Sequence, residues 1–116
     1  DTSVVVYTDA GIYFRKDVRA FVKKHTCGTD VAAARSAMPE AGFSKMDAFV
    51  ALDADYASIM ETNQIAAGVI LVRKTHLAMA FLRRWLAACR ERHIISEEPS
   101  AVPEHFLFKN NNDDQT

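Results

Sequence analysis

The sequence has no excess of either charge, no long apolar run and few cysteines, and each shortage removes a class of protein. Its 14 basic residues against 15 acidic ones leave a formal net charge of −1, so no overall field draws the chain to nucleic acid or to an anionic membrane. No stretch approaches the roughly 20 consecutive apolar residues of a membrane-spanning helix, and no secretory leader is visible. The 2 cysteines, Cys27 and Cys89, stand far apart without metal-type spacing. Cys89 falls among apolar residues of a helical pattern, where a free thiol behaves as a small hydrophobe. Both read as reduced, which leans the expected location towards the cytoplasm. There is also no initiating methionine: the chain runs from Asp1 to Thr116, ending directly after a polar run. It is expected to be a piece of a longer protein.

What is present is enough for a core. With 116 residues, 49% of them hydrophobic, one ordered domain over 1–116 is expected. Its organising stretch is Val4-Val5-Val6-Tyr7 followed by Thr8-Asp9-Ala10-Gly11. A β-branched run bounded by a polar turn reads as a strand buried on both faces, the usual state in a parallel sheet. Asp9 stands where that strand stops, at the sheet edge where open α/β folds bind ligands. A carboxylate there serves either as a ligand or as the cap of the next turn, and Asp is favoured for both.

Further along, Val18, Phe21 and Val22 mark one face of a helix whose last turn carries Lys23, Lys24 and His25, with Gly28 as its stop. Val31 to Met38 has alanines that favour a helix, but its alternation and flanking breakers permit a strand, and strand is the reading adopted. Pro39 to Gly42 reads as a loop. Ser44-x-x-Asp47 then reads as the start of a helix running to about Met60. Asp53-Ala54-Asp55 inside it has the form of a metal and diphosphate motif, yet carboxylates two apart on a helix diverge by about 200°. These acids are read as solvated.

Asn63 and Gln64, suited to sugar hydroxyls, precede a second buried-strand run, Ile65 to Val72. Gly68 within it signals close approach by a ligand or a neighbouring element. Thr75 caps a helix from His76 to about Arg92, with Leu77, Phe81, Trp85 and Cys89 on the face expected to cover the sheet. Trp85 reads as core. The run Lys109 to Gln115 reads as a flexible loop with solvated acids.

Several separated segments together resemble a group of GT-A-like glycosyltransferases of bacteria, algae and large viruses. They are Tyr7-Thr8-Asp9-Ala10-Gly11, Phe43-Ser44-Lys45-Met46-Asp47-Ala48-Phe49 and Asn63-Gln64-Ile65-Ala66-Ala67-Gly68. Phe81 to Cys89 with its Trp-x-x-x-Cys, Glu98-Pro99-Ser100 and Asp114-Gln115 complete the set. The resemblance implies an α/β fold, with a small, mostly buried sheet, packed helices and part of a nucleotide-diphospho-sugar transferase domain lacking its first nucleotide-binding strands.

It further implies transfer of a sugar from a nucleotide-diphosphate donor to a hydroxyl of a carbohydrate acceptor. Asp9 is then expected at an Mn2+ or Mg2+ ion or the donor phosphate. Lys45, Asp47, Gln64, Gly68 and Gln115 are expected around the substrates, and Asp114 as base or second metal contact. The motif has one acid where metal-dependent relatives have two. A rival reading is a non-catalytic domain that binds carbohydrate or a partner protein. Phosphoryl chemistry ranks third, because it wants a second acid where Gly11 stands.

Overall fold

β-Branched and apolar runs make the strands. In the computed structural model, which describes residues 3–111, β1 is Val4–Thr8, β2 is Val31–Pro39 and β3 is Asn63–Arg73, in the sheet order β1-β3-β2. The helices among the described residues are α1 (Val18–His25), α2 (Glu40–Phe43), α3 (Met46–Ala51), α4 (Tyr56–Ile59), α5 (His76–Ala88) and α6 (Arg92–Ile95). The fold is mixed α/β. The chain divides into two units, the first of residues 3–34 and 66–84, the second of residues 35–65 and 85–111.

In the first unit, β1 pairs antiparallel with β3, from Val4 opposite Arg73 to Thr8 opposite Val69. This corrects the parallel, doubly buried strand expected from the valine run. Exposure alternates along β1, and Val5 and Tyr7 remain 62% and 53% exposed. An unbroken apolar run is compatible with either environment, and here the strand lies at the sheet edge with one face open. The expectation of a mostly buried sheet holds only for β3, which supplies Ala67, Ile70, Leu71 and Val72 to the core, whereas β1 and β2 bury nothing completely. Helix α1 begins at Asp17, whose side chain accepts from the Arg19 N–H, and Gly28 follows it at φ 75. Thr75 caps α5 as expected, its hydroxyl accepting from the Ala78 N–H at 3.1 Å. The face expected to cover the sheet is open, with Leu77 70% and Phe81 47% exposed.

In the second unit, the single helix expected from Ser44 to Met60 is broken in two. Helix α3 ends in a Schellman arrangement: the Ala54 N–H reaches the Phe49 carbonyl, the Asp53 N–H reaches that of Val50, and Asp53 takes φ 51. The left-handed residue here is Asp, not Gly, so the usual stop signal is missing. Asp53-Ala54-Asp55 therefore lies in a turn, and the helical argument against it lapses, although both acids are exposed. Ser44 is not the cap of α3; that position belongs to Lys45. Pro39 to Gly42 is not all loop, since α2 starts at Glu40. Helix α5 ends at Ala88 instead of near Arg92, leaving Cys89 exposed and Trp85 half-buried. Phe49 meets Tyr56 edge to face at 4.7 Å, and α3 packs on α6.

Candidate functional site

Helix α6 has only one turn, so beyond the Arg92 carbonyl, which accepts from the Ser96 N–H, its carbonyls need partners from elsewhere. Lys45 supplies them. Its ammonium, on a residue 2% exposed, donates to the carbonyls of His93 at 2.8 Å, Ser96 at 3.2 Å and Glu98 at 2.7 Å. Positive charge at a helix C-terminus is electrostatically favourable, and three acceptors match the three donors of an ammonium. Asn111 works beside it. Its amide nitrogen donates to the Ile94 carbonyl at 3.2 Å, and its oxygen accepts from the Lys45 N–H at 3.3 Å.

The same few residues anchor the start of α3. Glu104 accepts from the Met46 N–H at 2.8 Å and from the Ser100 hydroxyl. Both Asp47 oxygens accept from the Ala101 N–H at 3.1 Å. Gln64, fully buried, donates to the Phe43 carbonyl at 3.2 Å and the Ser44 hydroxyl at 3.0 Å. Segments around residues 45, 64, 98 and 111 thus converge within the second unit.

Above this network opens a cleft of ≈ 520 Å³. Its walls include Glu97, Ser100, Glu104, Phe108, Lys109 and Asn110, with Lys45 at its lining. The Lys109 ammonium sits 5.8 Å from the centre of the Phe43 ring, and Arg92 pairs with Glu98 at 2.5 Å. Carboxylates, amides and ammonium groups around an aromatic ring are equipment for a hydroxyl-rich ligand. The Tyr56 hydroxyl is buried without a partner among the described residues; burial, and then the Glu104 charge, push its pKa up.

The first unit holds Asp9 and Gly68 side by side. The Asp9 N–H donates to the Gly68 carbonyl at 3.0 Å, and the Tyr7 hydroxyl reaches the Asp9 carboxylate at 3.1 Å. The turn beyond the strand is closed by the Asp9 backbone oxygen accepting from the Ile12 N–H. Its exposed carboxylate is left facing solvent and Tyr7. A Cβ on Gly68 would stand 3.2 Å from the Asp9 carboxylate, so the neighbour that this glycine admits is Asp9 itself.

Of the residues expected around substrate, Lys45, Asp47 and Gln64 come together but turn inward, whereas Asp9 and Gly68 belong to the first unit. Asp114 and Gln115 lie outside the described residues. Sequence reasoning missed Glu104 and read Asn110 and Asn111 as flexible loop; Asn111 is 5% exposed. Their partners are mainly backbone groups, which leave no trace in residue spacing. Among the described residues no group of three or more His, Cys, Asp or Glu is placed to hold a metal ion; Asp9 is a single carboxylate there, and Asp114, the expected second metal contact, lies outside them. No helix among them is long and apolar enough to cross a membrane. Compared with known proteins, the sequence matches no protein-family model, and no curated protein or solved structure matches it.

Proposed function

We propose that the chain is the acceptor-side and catalytic part of a sugar-nucleotide-dependent glycosyltransferase of GT-A-like kind. The observation that carries this reading is the convergence of Phe43–Asp47, Gln64 and Glu98–Ser100 on one hydrogen-bonded network beside a cleft of mixed polar and apolar lining. They come from three of the segments on which the resemblance rests, and the bond from Lys45 to Glu98 joins residues 53 apart.

In this reading Lys45, Asp47 and Gln64 are positioning residues, and the residues lining the cleft make the sugar contacts. Glu97 and Asn110 accept or donate to hydroxyls, and Lys109 donates. Asp9, held by Tyr7 in the first unit, is assigned a contact at the donor phosphate on the resemblance alone. Asp114 is assigned the acceptor's proton on the resemblance alone; a carboxylate there would take that proton as the new glycosidic bond forms. No step is routed through a divalent ion.

The test is release of nucleoside diphosphate by the full-length protein from UDP- and GDP-sugars, in the presence of an oligosaccharide and with and without Mn2+. Turnover is expected, with Asp9→Asn lowering it about 100-fold at unchanged thermal midpoint, the scale on which one lost charged contact in a transition state is felt. Undiminished turnover in Asp9→Asn, or none in any condition, would remove the reading. Saturable sugar binding without turnover would instead identify a non-catalytic carbohydrate-binding domain.

A further inference from the structure

The first unit carries a second cleft, of ≈ 660 Å³, that the proposed reaction does not use. Its apolar part is Tyr13, Phe14, Phe21 and Val69, and its polar part is Arg15, Lys16 and Asp17. The rings stand in solvent, Tyr13 76%, Phe14 51% and Phe21 44% exposed. Exposed aromatic groups gathered along one cleft are uncommon on a surface without a partner.

The charges are unbalanced in one direction. Asp17 is already neutralised by Arg19, whose guanidinium bonds both carboxylate oxygens at 2.7 to 3.1 Å. Arg15 and Lys16 have no ion-pair partner among the described residues. The cleft therefore presents two uncompensated cations beside three rings.

We infer that this cleft binds an acidic glycan, one whose sugars carry carboxylates. A pyranose ring has an apolar C–H face that lies flat on Tyr13 or Phe14, while its carboxylate reaches Arg15 or Lys16 and its hydroxyls the Tyr13 phenol. A nucleotide fits less well. The lining offers no amide or small hydroxyl side chain to read a base edge, and its one carboxylate is occupied by Arg19. The inference rests on the sugar-transfer reading for the glycan's role as acceptor, but not for its binding.

Calorimetric titration of the 116-residue chain with a galacturonic acid tetramer, a neutral hexose tetramer and UDP tests it. The acidic tetramer is expected to bind, more weakly as salt rises, and at least about tenfold more tightly than the neutral one, the ratio corresponding to about 1.4 kcal/mol. Paired substitutions Arg15→Ala with Lys16→Ala, and Tyr13→Ala with Phe14→Ala, should each weaken it roughly tenfold. All four side chains are exposed, so the thermal midpoint should not move. Equal affinity for the neutral tetramer, no binding, indifference to both pairs, or UDP competing at these residues would each overturn the inference. Diphosphate release by the full-length protein is followed in parallel. Turnover without uronate binding removes only this inference, and uronate binding without turnover removes only the transfer reading.

Discussion

The two units differ in the polar groups they bury. The second buries Ser44, Lys45, Asp47, Gln64 and Asn111 and gives each a hydrogen-bond partner, while among the described residues of the first Thr26 is the one buried polar residue. Where polar groups are buried, a structure is specified by directional bonds that tolerate little displacement. Where the buried groups are mainly apolar, as with Ala67, Ile70, Leu71, Val72 and Ala78 of the first unit, it is specified by packing, which admits rearrangement more readily. The contrast lies in how each interior is specified and not in apolar exposure, since Tyr13 of the first unit and Phe106 of the second both stand in solvent.

Three substitutions probe that contrast, in falling order of effect. Lys45→Met should be the most damaging, because it strands the carbonyls of His93, Ser96 and Glu98. A loss of about 3 kcal/mol is expected in urea denaturation, about 1 kcal/mol for each of the three hydrogen bonds removed. A loss below about 1 kcal/mol would mean water replaces the ammonium freely, and the distinction between units would collapse. Tyr56→Phe runs the other way. It removes a buried hydroxyl that has no partner, so a gain of about 1 kcal/mol is expected.

The pH dependence follows from the same tyrosine. Burial first, and Glu104 second, raise the folded pKa of Tyr56 above its unfolded value. Its contribution is thus fully present below about pH 10 and is lost as pH rises through the folded value. Tyr56→Phe should flatten that alkaline decline, and an unchanged slope would show that another group causes it. Smallest of the three is Val5→Thr on the open face of β1. It should alter stability by less than about 0.5 kcal/mol. A clearly larger loss in the same denaturation series would show that this face is covered in solution.

Local chemistry made much of the secondary structure legible and little of the burial. The β-branched content of Val4–Thr8 and Asn63–Arg73, the spacing of Val18, Phe21 and Val22, and the hydroxyl of Thr75 each located an element in the right place. The same valines say nothing about whether a sheet face is covered, so β1 was read as doubly buried. The break after Ala51 escaped because Asp53 occupies a position where glycine is the recognisable signal. For the candidate site, the residues brought by resemblance at 45, 47 and 64 do gather, but their inward orientation was not readable. It depends on backbone carbonyls and N–H groups supplied some 20 to 54 residues away.

The Lys45 clamp also sets an order of events. The acceptors of its ammonium come 48 to 53 residues later in the chain, and Asn111 later still. During synthesis the lysine emerges long before anything exists to receive it, and until then its charge remains in water. The second unit therefore cannot close from its N-terminal side as it is made. Its last-made segment is the one that draws the lysine inward, so a ribosome stalled ahead of Glu98 would display an open, protease-sensitive chain.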